Sequence, residues 1–153
     1  MSHAYTSLVY HIVFGTKYCR TWLRPDVGPR LHAYMAGILK NLDGRPILIG
    51  GVADHVHALT ILSRTRAVDD VICGLKSNSS RWVHEQFPDL SSFAWQSGYG
   101  AFTVSINGVE TVKRYIQRQE EHHREVAFQE EYRQFLTRHG IPVDERFVPL
   151  APG

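Results

Sequence analysis

Pro46-Ile47-Leu48-Ile49-Gly50-Gly51-Val52-Ala53-Asp54-His55-Val56-His57-Ala58-Leu59-Thr60-Ile61-Leu62 is the stretch whose reading decides the fold. It predicts two strands, 46–50 and 55–62, joined so tightly that they pair as an antiparallel hairpin. Side chains alternate faces along a strand, so His55 and His57 share one face with Leu59 and Ile61. Val56, Ala58, Thr60 and Leu62 take the opposite face, which suits packing against helices. The histidines are therefore expected on the open side of a sheet.

Working outward, Leu8-Val9-Tyr10-His11-Ile12-Val13-Phe14 is a short apolar run closed by Gly15, consistent with a buried strand. Arg24-Pro25-Asp26 opens a helix, proline being tolerated in a first turn. Leu31, Tyr34, Met35, Ile38, Leu39 and Leu42 give that helix one apolar face, and Asp43-Gly44 stops it. A second helix is predicted from about Ala67 to Phe87, ended by Pro88. Its apolar stripe is Val68, Val71, Ile72, Leu75, Trp82 and Val83. Phe93-Ala94-Trp95 and Phe102-Thr103-Val104-Ser105-Ile106 are strand-like. Asn107 reads as the cap of a third helix, with Glu110 completing a capping box. That helix runs through Val112, Tyr115, Ile116 and Gln119 and is expected to fray or bend in the polar stretch 120–124. Phe128 to His139 predicts a further helix, stopped by Gly140 and Pro142, and the tail from Val143 has little pattern.

The order β-α-β-β-α-β is that of an α+β, ferredoxin-like split βαβ arrangement. Two helices cover one face of an antiparallel sheet, and the other face is left for a ligand or for the third helix. At 153 residues the chain is expected to be a single unit, with a core at about 7–124 and a C-terminal helix and tail at about 125–153.

Composition narrows the class. The chain is 43% hydrophobic and 21% charged, an ordinary globular balance, and a net charge of +2 permits a nucleic-acid partner without demanding one. Cys19 and Cys73 are too few and too scattered for a disulfide framework or a cysteine metal site. Cys73 falls on the apolar side of the second predicted helix and is expected to be buried. Met1-Ser2-His3-Ala4-Tyr5 lacks the features of a signal peptide, and no apolar run approaches the roughly 20 residues that cross a bilayer. A soluble, cytoplasmic protein with no membrane partner is the expectation.

Two imidazoles side by side on a sheet face can hold one divalent metal, though His-x-His also suits two polar residues on a half-wet strand. Tyr115 and Gln119 share a helix face at a spacing of four. Tyr115 reads as a core aromatic or as a nucleophile. Gln119 argues for chemistry, because an amide on a core stripe is costly unless paired. Its oxygen would add a third neutral ligand to His55 and His57. A cation held only by neutral groups keeps its charge and attracts a phosphate diester. His122 and His123 read as an added ligand, a proton shuttle or solvated surface. Asp54 reads as a partner behind a histidine or as a turn residue. Ser105 and Asn107 read as a strand end and a cap. Lys17, Arg20, Lys76, Arg81, Arg114 and Arg118 are candidate phosphate contacts, each also readable as solvated charge. Trp95 and Tyr99 could stack on bases or simply pack.

Five ordered stretches carry a family resemblance. They are His11-Ile12-Val13-Phe14-Gly15-Thr16-Lys17-Tyr18-Cys19-Arg20, Asp54-His55-Val56-His57, Gly74-Leu75-Lys76-Ser77, Trp95-Gln96-Ser97-Gly98-Tyr99-Gly100 and Tyr115-Ile116-Gln117-Arg118-Gln119-Glu120-Glu121-His122-His123. From about Tyr10 to Gly140 the chain resembles the single-tyrosine HUH transposases of IS200-like insertion sequences, including relatives associated with repetitive extragenic palindromes. The resemblance implies that His55 and His57 are the HUH histidines, Tyr115 the nucleophile and Gln119 the third ligand of a magnesium or manganese ion. It implies cleavage of single-stranded DNA through a 5′-phosphotyrosine link that frees a 3′-hydroxyl, which can later attack another such link. It also implies recognition of hairpin ends and a homodimer, in some members with the tyrosine helix of one subunit serving the histidines of the other. Such sharing is favoured for this chain chiefly on the resemblance, with Asn107-Gly108 before the third helix as a plausible hinge. Cys19 departs from the family, whose members often carry a second basic residue there; this bears on DNA contacts rather than on chemistry.

Two rival readings stand beside it. One is a non-catalytic nucleic-acid-binding ferredoxin-like module, faintly suggested by Gly98-Tyr99-Gly100-Ala101-Phe102-Thr103-Val104. The other is a zinc hydrolase using His55, His57 and one of His122 or His123.

Overall fold

Pairing of the hairpin strands with the N-terminal strand builds the centre of the sheet. A computed structural model describes residues 3–149; Met1, Ser2 and positions 150–153 of the expected tail lie outside the described residues. Strands β1 (Val9–Gly15), β2 (Arg45–Val52), β3 (His55–Ile61) and β4 (Gly100–Thr103) form one antiparallel sheet in the order β2-β3-β1-β4. Helix α1 (Gly28–Asn41) connects β1 to β2, and α2 (Val68–Gln86) connects β3 to β4. Each connection passes over one intervening strand, so the α+β split βαβ architecture expected from the periodicity is the one observed.

The hairpin turn explains its glycines. Val52 pairs with His55, leaving Ala53-Asp54 as the turn. Gly51 has φ 151°, and a Cβ there would lie 2.2 Å from the carbonyl oxygen of His55. Only glycine fits that position.

Val56, Ala58 and Leu62 of the β3 segment join Ile12 and Phe14 of β1 in a core with Leu31, Met35 and Leu39 of α1 and Ile72, Leu75 and Val83 of α2. The opposite face is not open as expected. It is covered by α3 (Val109–Gln117), α4 (Gln119–His122) and α5 (Phe128–Arg138). Ile116 packs against Val9 and Leu59, while Phe128, Tyr132 and Phe135 pack around Val13 and Phe102. The apolar spacing 128-132-135-136 on α5 is a stripe that must be buried somewhere, and this sheet face is the surface it finds. As a result His55 and His57 are both 0% exposed.

Other expectations shift. Phe93-Ala94-Trp95 is not a strand; Trp95 makes a single bridge to Thr16. Strand β4 ends at Thr103, short of Ile106, because its partner β1 ends: the Val104 amide donates to the carbonyl of Val9, at the first residue of β1. Ile106-Asn107-Gly108 forms a 3₁₀ turn, and Asn107 does not cap α3. The helix does end in 120–124 as expected, with α4 stopping at His122, and a further break falls earlier, at Arg118, where φ −103° and ψ 20° separate α3 from α4. Cys73 is exposed rather than buried, since it lies two residues from both Val71 and Leu75 and so points away from their face. Among the described residues, no helix is long and apolar enough to cross a membrane.

Candidate active site

Strand β3 points both histidines of the pair at one spot. His55 Nε2 lies 3.3 Å, and His57 Nε2 3.1 Å, from Oε1 of Glu131, a residue of α5. The outer nitrogen of each ring is tied down. His55 Nδ1 donates to the Asp54 carboxylate at 2.7 Å, and His57 Nδ1 shares a 2.7 Å hydrogen bond with His11 Nε2 on β1. Fixing the outer nitrogens fixes both rings and aims the inner nitrogens inward, the arrangement by which proteins orient metal-binding imidazoles.

The helices complete the cluster. Gln119 Oε1 lies 2.9 Å from His55 Nε2 and 2.9 Å from His123 Nε2. The second oxygen of Glu131 accepts from the Tyr115 hydroxyl, from Gln119 Nε2 at 3.2 Å and from His123 Nε2 at 3.1 Å. His122 Nε2 approaches the same oxygen at 3.4 Å. One ligand atom each from His55, His57, His123 and Glu131 lie within 4.8 Å of one another. Imidazole nitrogens with amide and carboxylate oxygens at this spacing fit a divalent cation.

Burial and the shared carboxylate set the charges. Burial alone would raise Glu131, but hydrogen bonds from His123, His55 and His57 overcome it and hold the carboxyl far below the usual range. Burial opposes the charged form of His55, yet its bonds to Asp54 and Glu131 carry it up to about 9. Burial dominates at His57, lowered to about 4, and at His11, lowered to about 3. Burial, then the bond to Glu131, pushes the Tyr115 phenol well above its ordinary value. At neutral pH the phenol therefore keeps its proton.

Of the residues singled out from sequence, His55, His57, Tyr115 and Gln119 converge, joined by His123 and with Asp54 behind His55. Arg114 and Arg118 line an open cleft of about 420 Å³ that exposes Tyr115, together with Thr111, Glu121, His122 and Glu125. Lys17 and Arg20 are exposed and flank the Tyr18 ring, at 5.5 and 5.8 Å from its centroid. Lys76 is not a free phosphate contact. Its ammonium donates to the carbonyls of Gln96 (2.7 Å) and Gly98, and burial lowers it to about 8. Arg81 sits on α2, on the opposite face of the sheet from Tyr115, and donates to Asn78 at 2.7 Å. Trp95 is a packing residue, buried with its indole N–H donating to Ser79 at 3.0 Å. Tyr99 donates to Asp69 at 2.8 Å.

Glu131 and His11 were not found from sequence. Each carried a faint signal: a carboxylate in line with Phe128 and Phe135 on an apolar stripe, and a histidine inside an otherwise apolar strand. The RNA-module reading loses its stacking platform. Phe102 on β4 stacks on Phe135 and on His139, with centroids 5.5 and 4.3 Å away, rather than facing solvent.

Comparison with known proteins agrees with this geometry. The family model described as IS200-like transposase matches residues 4–119. The chain is 27% identical over 117 residues to the ISDra2 transposase TnpA of Deinococcus radiodurans, covering 73% of this chain and 84% of that protein. It is 27% identical over 124 residues to the transposase of insertion sequence element IS200 from Salmonella typhimurium, covering 78% and 81%. A solved structure of a transposase from Deinococcus radiodurans superposes with a TM-score of 0.64 at 25% identity, over 78% of this chain and 96% of that one. The fold is also that of a REP-associated tyrosine transposase bound to a REP hairpin, with a TM-score of 0.52 at 10% identity over 78% and 70%. The chain belongs to the IS200-like transposase family.

Proposed function

We propose that this transposase cuts and rejoins single-stranded DNA next to hairpins, with Tyr115 as nucleophile and a magnesium or manganese ion held by His55, His57 and Gln119. The observation that carries the reading is the single hydrogen-bonded network linking the Tyr115 hydroxyl, through Glu131, to both histidines. A metal-ligand cluster and a nucleophile in one buried knot have no use in a passive binding module, and a zinc hydrolase would leave Tyr115 idle.

The cation, when bound, supplies positive charge beside the attacked phosphate. Arg114 and Arg118 hold the phosphodiester backbone at the mouth of the cleft. The Tyr115 oxygen attacks phosphorus and forms a new P–O bond as the bond to the 3′ oxygen breaks. The phenolic proton leaves the tyrosine, a proton is taken up by the departing 3′ oxygen, and a 3′-hydroxyl results. One phosphodiester replaces another, so no external energy source is needed, and a second 3′-hydroxyl can reverse the step. Fixed geometry accounts for much of the rate, because nucleophile and cation are placed before substrate arrives.

We further propose that residues 1–153 act as one unit and that two copies pair. The Tyr115 and His57 ring centroids of the same chain are 5.8 Å apart. That closeness supports a site made within each subunit over the shared site favoured on sequence.

The test is incubation with end-labelled hairpin DNA carrying a single-stranded flank. A covalent adduct that survives denaturation should form with manganese and vanish in excess chelator. An adduct that forms equally well in chelator contradicts the reading.

A further inference from the structure

We propose that Glu131 is itself a ligand of the divalent cation, so that the centre comprises two histidines and a carboxylate, with α5 as one of its walls. This rests on the reading of His55 and His57 as metal ligands. It concerns a residue beyond position 119, where the match to the family model ends.

Spacing is the first argument. Around a six-coordinate ion with bonds of about 2.1 Å, neighbouring ligand atoms at right angles sit roughly 3 Å apart. Glu131 Oε1 lies 3.1 Å from His57 Nε2 and 3.3 Å from His55 Nε2, while Gln119 Oε1 lies 2.9 Å from His55 Nε2. The four donors are thus already spaced like edges of such a shell.

Charge is the second. Glu131 is 1% exposed, and a buried carboxylate is costly without a positive partner. Among the described residues, the side chains gathered around it are His55, His57, His122, His123, Tyr115 and Gln119, with no lysine or arginine, so its countercharge comes from imidazoles, groups that exchange a proton for a metal ion. A divalent cation is the charge this pocket suits.

The division of labour between its oxygens is the third. Oε1 faces the two histidines of β3, while Oε2 faces the Tyr115 hydroxyl. A cation on Oε1 would leave Oε2 holding the nucleophile one carboxyl width from the metal. Glu131 therefore ties metal loading to placement of the tyrosine. With this carboxylate the ligand set is anionic, unlike the three neutral ligands of His55, His57 and Gln119, and suits hard, oxygen-seeking ions.

The experiment measures manganese binding to the full chain by calorimetry and paramagnetic resonance, with no DNA present. Glu131→Gln keeps the shape and removes the charge. It should weaken manganese binding by about tenfold or more, a loss typical of disturbed metal sites, while the wild-type circular dichroism is retained. Independently of any variant, wild-type protein with ¹³C-carboxyl glutamate should show ¹³C coupling to bound manganese. Unchanged affinity in Glu131→Gln, or manganese bound to wild type without that coupling, overturns the proposal. If His57→Ala abolishes binding while Glu131→Gln does not, only Glu131 loses its role. If wild type binds no manganese, this proposal and the metal reading beneath it both fail.

Discussion

His57 illustrates how far a single side chain can be read. Its alternation with His55 was legible, and so was its direction away from the α1/α2 core. Its burial was not, because burial depends on α5, which lies far along the chain. His57→Ala should therefore do more than remove a proposed metal ligand. It opens a cavity and leaves His11 and Glu131 each short of a partner. We expect a loss of about 2–4 kcal/mol in urea unfolding without metal; a loss under about 0.5 would mean that the histidine is not packed as described. Glu131 escaped the sequence reading because a glutamate on an amphipathic helix reads as solvated face, and only its neighbours Phe128 and Phe135 hinted otherwise. His32 offers a pH test away from the site. Burial lowers it from 6.5 to about 4, and its Nε2 has no hydrogen-bond partner among the described residues. The unfolded chain takes up this proton more readily than the folded one. Its contribution to stability is thus fully present above 6.5 and is lost as pH falls toward about 4. His32→Gln should flatten the decline in stability over that window; an unaltered slope would show that His32 does not contribute to it.

At the scale of elements, the two-residue and 3.6-residue periods defined β1, α1, β2, β3 and α2, since each buries a face against one core. Accuracy fell where tertiary contacts set the limits. Strand β4 is only as long as β1 allows, and the break at Arg118 follows no proline or glycine. The hairpin gives a sharp comparison between adjacent glycines. A Cβ on Gly51 would meet backbone at 2.2 Å and would need φ 151°, whereas a Cβ on Gly50 would meet the γ2 methyl of Ile116 at 2.8 Å. Backbone cannot yield as a side chain can. Gly51→Ala should cost about 2 kcal/mol or more, and Gly50→Ala clearly less. Equal costs in denaturant unfolding would contradict the turn geometry.

Taken whole, the molecule gathers the proposed site on the sheet face opposite α1 and α2, with an exposed cleft beside Tyr115. Net charge said little, because the relevant cations are local. Arg114→Ala and Arg118→Ala should each weaken single-stranded DNA binding and lower the slope of log affinity against log salt by about 0.7. Arg81→Ala, on the far face, should change neither; an effect as large as that of Arg114→Ala would place the DNA elsewhere. The proposed pairing of two copies can be tested on the same geometry. A purified heterodimer of Tyr115→Phe with His57→Ala contains no chain with both groups, so a site built within each subunit predicts no restored cleavage. Recovered cleavage would show that α3 is exchanged between copies. The central claim is that Tyr115 becomes joined to DNA. It is tested most directly by trapping the adduct with manganese and hairpin DNA, digesting protein and DNA, and sequencing the modified peptide by mass spectrometry. The account predicts a 5′-phosphonucleotide on Tyr115 and no adduct from Tyr115→Phe; a nucleotide on any other residue, or an undiminished adduct from the variant, would contradict it.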